Sequence, residues 1–253
     1  MMRIGGIIDV STVDIPNKSS MVIFTVGCNL NCEFCHNKYL LSHSAGKDVL
    51  IPKLVEQINS NVLANSISIT GGEPTLQEDL PLLCQELNRI GKYVSVDTNG
   101  TFPNVIKKLL PYIHRIALDL KGPLNQERIA SITNSKVNIR LIQESFELIN
   151  EANNIDFEIR TTYVVKLMIP NDIHEIIEFL RNNNFQGNFV LQQYQFSEGV
   201  GKELKDKFQK PEQATLLTIL KRYRMLDLPF KIYLRDDKVG YCLFNKLYEN
   251  FDE

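Results

Sequence analysis

Cys28, Cys32 and Cys35 carry the most specific chemistry in the chain. They stand in the stretch Gly27-Cys28-Asn29-Leu30-Asn31-Cys32-Glu33-Phe34-Cys35-His36-Asn37, spaced C-x3-C-x2-C. Three thiolates in one short loop can hold three corners of a [4Fe–4S] cube. A closed electron-transfer site would use four protein thiolates. A missing fourth ligand leaves one iron open to a small molecule, and an open metal position marks a reactive site. Zinc is the competing reading, with His36 as its fourth ligand. Adjacent Cys35 and His36 are poorly placed to meet one metal tetrahedrally, and the spacing is unusual for zinc. His36 reads instead as a hydrogen-bond donor behind the ligands. Cys84 and Cys242 lie in apolar settings and read as structural thiols.

The remaining polar candidates follow short apolar runs. Gly71-Gly72-Glu73-Pro74 follows Ser66–Thr70, and Asp97-Thr98-Asn99-Gly100 ends Tyr93–Asp97. Asp119-Leu120-Lys121 closes Ile113–Leu120, and Arg160 and Thr162 lie within Asp156–Val165. Gln193 and Gln195 end the stretch from Asn188. Each alone has a plain explanation. Gly-Gly is a tight turn, Asp97 an Asx-turn, Asn99-Gly100 a turn dipeptide, and Asp119 with Lys121 a solvated ion pair. In a parallel β/α fold, however, ligands sit at the C-terminal ends of the strands. All these groups are then expected at one mouth. There the glycines let a ligand approach the backbone, and Glu73 offers a carboxylate to an ammonium group.

The elements that must position these groups alternate steadily. Strands are predicted over Met21–Val26, Ser66–Thr70, Tyr93–Asp97, Ile113–Leu120, Asp156–Val165, Asn188–Gln193 and Phe230–Leu234. Helices are predicted over Pro52–Asn59, Glu78–Ile90, Phe102–Leu110, Ile139–Glu151, Ile173–Asn182 and Ala214–Leu226. Alternation of this kind predicts parallel strands with crossover helices, wound in one direction into a full or partial β/α barrel. Ile4–Pro16 is expected to form a short hairpin or cover, and the polar stretch Ser197–Pro211 a mobile loop near the mouth. No separate C-terminal domain is expected after Pro211.

Bulk composition narrows the function. The chain has 253 residues, 43% of them apolar, enough for one sizeable core. Its net charge of −2 gives no basic excess for a nucleic acid. No apolar run reaches the roughly 18 residues of a membrane span. The opening residues lack a secretory signal pattern. Five cysteines, three of them crowded together, do not form a disulfide framework and fit a reducing cytoplasm.

The C-x3-C-x2-C motif with an aromatic before its last cysteine, followed by Gly71-Gly72-Glu73, resembles the radical S-adenosylmethionine (SAM) superfamily. Thr12-Val13-Asp14, Cys35-His36-Asn37, Gly71-Gly72-Glu73-Pro74, Asp97-Thr98-Asn99-Gly100 and Asp119-Leu120-Lys121 resemble segments of its glycyl-radical-enzyme activases, in family order. Ile4-Gly5-Gly6-Ile7 and Asp14-Ile15-Pro16 look most like the activating proteins of anaerobic ribonucleoside-triphosphate reductase. The resemblance implies an α/β fold, a partial (β/α)6 barrel of radical SAM type. The chain is expected to form a single radical SAM domain over 1–253, with a cover segment at 1–20, the barrel at 21–235 and a tail at 236–253, the resemblance itself spanning about residues 4–195.

By the same resemblance, Cys28, Cys32 and Cys35 would ligate three irons of a [4Fe–4S] cluster and SAM the fourth. Gly71, Gly72 and Glu73 would line the methionyl group. Asp97 and Asp119 would frame a monovalent cation, and Lys121 would meet the ligand's carboxylate. One electron, from a donor such as flavodoxin or ferredoxin, would cleave SAM reductively. The resulting 5′-deoxyadenosyl radical would take a hydrogen atom from a glycine of a partner enzyme, anaerobic ribonucleotide reductase by the finer match. The chain departs from related activases in one place. Gln193-Tyr194-Gln195 stands where they have Pro-Tyr-His, and glutamine cannot titrate near neutral pH. Two other readings stay open: radical SAM chemistry on a small molecule or RNA base, and a zinc-binding module.

Overall fold

A computed structural model describes residues 1–42, 44–196 and 207–248. The chain divides into two compact units. The first comprises Met1–Asn31, Asn37–Leu118 and Arg140–Phe157. The second comprises Cys32–His36, Asp119–Ile139 and from Glu158 onward.

The first unit holds strands β1 (Met2–Ser11), β2 (Ser20–Thr25), β3 (Lys47–Val49), β4 (Ser66–Gly71), β5 (Tyr93–Thr98) and β6 (Arg115–Asp119, as far as Leu118). Their order is β3-β1-β2-β4-β5-β6. β2, β4, β5 and β6 run parallel, whereas β1 is antiparallel to both its neighbours. The segment expected as a hairpin or cover is therefore mostly one ten-residue strand. β2 and β4 are buried on both faces; β2 carries the apolar run Met21–Phe24, whereas β4 alternates small serines with Ile67 and Ile69. Helices α1 (Ile51–Ser60), α2 (Leu80–Arg89) and α3 (Pro103–Leu109) cross between parallel strands. Each begins with proline in its first turn, where the missing N–H has no helical partner to lose. α1 buries Ile51, Leu54 and Ile58, and α2 buries Leu80, Leu83, Cys84 and Leu87. Full burial of one such side chain contributes about 1.5–3 kcal/mol.

The second unit contains α4 (Gln126–Thr133), β7 (Asp156–Tyr163, from Glu158), α6 (Pro170–Asn182), β8 (Asn188–Gln193), α7 (Gln213–Leu220), β9 (Lys231–Asp236), β10 (Gly240–Leu243) and α8 (Phe244–Tyr248); α5 (Ile139–Asn150) lies mostly in the first. β7, β8 and β9 run parallel, and β10 folds back antiparallel on β9. Asp236 makes that turn by accepting from the amides of Lys238 and Val239 at 2.9 and 2.8 Å. Of the residues expected as a tail, Gly240–Leu243 are thus a strand and Phe244–Tyr248 a short helix, and 249–253 lie outside the described residues. α4 was also not expected. Asn125 caps it by accepting from Glu127 N and Arg128 N, and Asn134 ends it in the left-handed region. Of the loop expected at 197–211, residues 197–206 lie outside the described residues.

Candidate active site

The cysteine stretch begins where β2 ends. In the first unit its entry is fixed by backbone. Gly27 N donates to Leu40 O at 2.7 Å, and Glu73 N donates to Gly27 O at 2.7 Å. Gly72 N donates to Thr25 O at 2.9 Å. The two glycines after β4 permit this packing. Gly71 has φ +123°, and a Cβ there would lie 2.3 Å from Thr25 N. A Cβ on Gly72 would lie 1.9 Å from Gly27 O. The space expected for a ligand beside these glycines is thus taken, on the side-chain side, by the backbone leading into Cys28. Leu30 N donates to Cys28 Sγ at 3.4 Å. Asn37 Nδ2 reaches Gly71 O at 3.4 Å.

Glu73 is 1% exposed. Its Oε1 accepts from Thr75 N at 3.1 Å, from Thr75 Oγ1, and from Thr98 Oγ1 at 2.7 Å. Its Oε2 accepts from Asn99 N at 2.7 Å. Burial raises its pKa, and these four donors oppose the rise. A carboxylate offers about four lone-pair sites, so Glu73 spends its capacity on tying the end of β4 to the end of β5. Asp97, at the end of β5, faces Arg115 at 3.6 Å; both side chains are buried.

In the second unit, Cys35 N donates to Cys32 O at 3.1 Å, a tight turn that carries both thiols. Cys32 is buried and Cys35 half-buried. Asp119 accepts from Lys121 Nζ and Arg160 Nε, each at 3.0 Å. Burial pushes the Asp119 carboxyl up, but the two cations outweigh it and hold its pKa at about 2. Burial likewise disfavours the Lys121 ammonium. Asp119 and the sulfurs of Cys32 and Cys35 overcome that and raise its pKa. The two aspartates expected around a monovalent cation are therefore each paired with a protein cation. His36 has its pKa lowered by burial, opposed by a hydrogen bond to the Gln195 backbone. Its ring centroid lies 5.7 Å from that of Tyr194.

No disulfide joins any of the five cysteines. Cys84 is fully buried on α2, which raises its pKa, in keeping with a structural thiol. Among the described residues, no three His, Cys, Asp or Glu side chains converge on a point that would hold one metal ion. No helix among the described residues is long and apolar enough to cross a membrane.

The family model of the radical SAM superfamily matches residues 22–181. The chain belongs to the radical SAM superfamily. A provisionally named glycyl-radical enzyme activating enzyme of Methanocaldococcus jannaschii is 33% identical over 84% of this chain and 88% of its own length. The GTP 3′,8-cyclase of Aquifex aeolicus is 28% identical over 69% of this chain and 56% of its own. Among solved structures, Streptococcus suis SuiB bound to S-adenosylmethionine superposes with a TM-score of 0.63 at 21% identity. That match covers 83% of this chain and 49% of SuiB, so the chain spans about half of that protein, and it shows a shared α/β fold.

A radical SAM enzyme implies a [4Fe–4S] cluster and SAM. The donor set fits: no disulfide consumes the thiols of the C-x3-C-x2-C stretch, and soft thiolates suit iron–sulfur clusters. The cysteine stretch and Gly71-Gly72-Glu73 stand out in the sequence as motifs. Thr101 and Arg115 were not singled out, although Thr101 binds Asn29 and Asn99 and Arg115 pairs with Asp97. Polar residues that follow or pair with a motif residue were the available signal.

Proposed function

We propose that this radical SAM enzyme installs a glycyl radical on a partner protein. The observation that carries the reading is the likeness to the activating enzyme of M. jannaschii, which spans most of both chains. The likeness to the GTP cyclase spans little more than half of that enzyme. The net charge of −2 disfavours an RNA substrate. The family-order segments of the sequence point to an anaerobic ribonucleoside-triphosphate reductase as the partner, with a flavodoxin- or ferredoxin-like reductant.

Cys28, Cys32 and Cys35 would hold three irons. The cluster and SAM, when bound, supply one-electron cleavage of SAM and a radical able to take a hydrogen atom. The chain's own residues prepare the setting. Leu30 N donates to the Cys28 sulfur, and Glu73 fixes the ends of β4 and β5. Gly71 and Gly72 would present backbone to the methionyl group. Lys121, already charged beside Cys32 and Cys35, would meet its carboxylate. Arg115 and Arg160 hold Asp97 and Asp119 in place. The two units interleave in sequence, each built from three segments, which supports reading 1–253 as one catalytic domain rather than two.

The test is anaerobic incubation with reductant, SAM and the candidate reductase. The expected result is a glycyl radical on the reductase, seen by electron paramagnetic resonance. Formation of 5′-deoxyadenosine without a radical on any glycyl-radical enzyme of the host would retire the activase reading.

A further inference from the structure

Asn29 follows Cys28 directly, and both atoms of its carboxamide are engaged. Its Nδ2 donates to Thr101 Oγ1 at 2.8 Å, and its Oδ1 accepts from Asn99 Nδ2 at 2.9 Å. Thr101 Oγ1 in turn donates to Asn99 Oδ1 at 2.7 Å, and Thr101 N donates to the same oxygen at 3.0 Å. These bonds close a ring in which donors and acceptors run consistently through Asn29, Thr101 and Asn99. Such rings strengthen cooperatively. The ring does not float. Asn99 N donates to Glu73 Oε2 at 2.7 Å, and Glu73 N is bound to Gly27 O at 2.7 Å. The backbone on both sides of Cys28 is therefore tied to the loops after β4 and β5.

Asn99 and Thr101 are buried, whereas Asn29 is exposed on its outer side. An exposed residue contributes little to a core. The two hydrogen bonds are what its side chain does here.

We propose that Asn29 is a positioning residue for the metal site: through its ring with Thr101 and Asn99 it fixes the backbone that aims the Cys28 sulfur. The inference rests on the reading that Cys28 ligates a [4Fe–4S] cluster. Groups that orient a ligand without touching the metal change affinity by about 10–100-fold when removed. The same range is expected for loss of this ring.

The experiment follows loss of the iron–sulfur chromophore of the reconstituted full-length protein under an excess of iron chelator, without oxygen. N29A and T101V are each expected to bleach about 10-fold faster than wild type or more. T101S keeps the hydroxyl and is expected to bleach at the wild-type rate. The double variant N29A/T101V is expected to be no worse than either single, because both break one ring. Urea unfolding of the same variants in the metal-free state separates a loosened ligand from a loosened fold. N29A bleaching at the wild-type rate overturns the proposal. Additive effects of N29A and T101V overturn it too, since the residues would then act independently. If the wild-type protein forms no iron–sulfur chromophore, the ligand reading itself falls, and this inference with it.

Discussion

Asp119 keeps its negative charge in a half-buried position because Arg160 and Lys121 each donate to it at 3.0 Å. Their charges outweigh its burial and lower its pKa from 3.8 to about 2. A folded-state pKa below the unfolded value means that the unfolded chain binds the proton more readily. The resulting stability is complete above the unfolded pKa and disappears as pH falls toward the folded one. The depression corresponds to about 2 kcal/mol. Asp119→Asn is therefore expected to lower the unfolding free energy by about 2 kcal/mol at pH 7. The difference should close between pH 3.8 and about 2. Urea titrations of both proteins across that range measure it. A gap unchanged at low pH would mean that Asp119 stabilises by packing, not by charge. The sequence offered Asp119 and Lys121 as ligand-facing groups. It did not show that Arg160, 41 residues away, completes the pair, because that depends on how the strands lie side by side.

At the scale of elements, the end of β4 is shaped by what it must let pass. Gly72 lies where a Cβ would meet the Gly27 carbonyl oxygen at 1.9 Å, and backbone cannot rotate away as a side chain can. Gly6 on β1 has nothing within 4 Å of its Cβ position. Gly72→Ala should therefore cost about 1–3 kcal/mol or more through overpacking and should impair cluster uptake. Gly6→Ala should stay within about 0.5 kcal/mol of wild type. Urea midpoints and iron content after reconstitution check both. An unchanged Gly72→Ala would mean that β4 and the cysteine stretch do not pack as closely as described. The alternation of strands and helices was legible because α1 and α2 carry apolar residues at helical spacing, β2 holds an apolar run and β4 is short, rich in β-branched residues and ends in Gly71. β3 was not, since it is three residues with no buried side chain. α4 carried a readable cap in Asn125, but only Ile129, Ile132 and Thr133 of its eight residues are buried, a weak stripe. The Gly71-Gly72 signal was legible as a site for close approach. Sequence alone could not tell that backbone makes that approach.

At the scale of the whole chain, two relatives set up competing substrates. One is named for activating a glycyl-radical enzyme and the other for cyclising GTP. The radical SAM family of this chain fits either reading, so family membership does not choose between them. The extent of similarity does carry information: the match covers 88% of one relative, whereas a match over 56% of the other leaves much of it without a counterpart in the alignment. On the proposed reading a macromolecular partner would bring its own glycine to the radical, and the chain would need no specific pocket for a small substrate. The reconstituted, reduced protein given SAM and GTP is therefore expected to leave GTP unconsumed. Given SAM and the glycyl-radical enzyme, it should yield 5′-deoxyadenosine in step with glycyl radical. Chromatography of the nucleotides and spin quantitation read the two arms side by side. GTP consumption dependent on SAM would transfer the assignment to the cyclase, and uncoupled 5′-deoxyadenosine in both arms would point to a substrate that neither relative's name supplies.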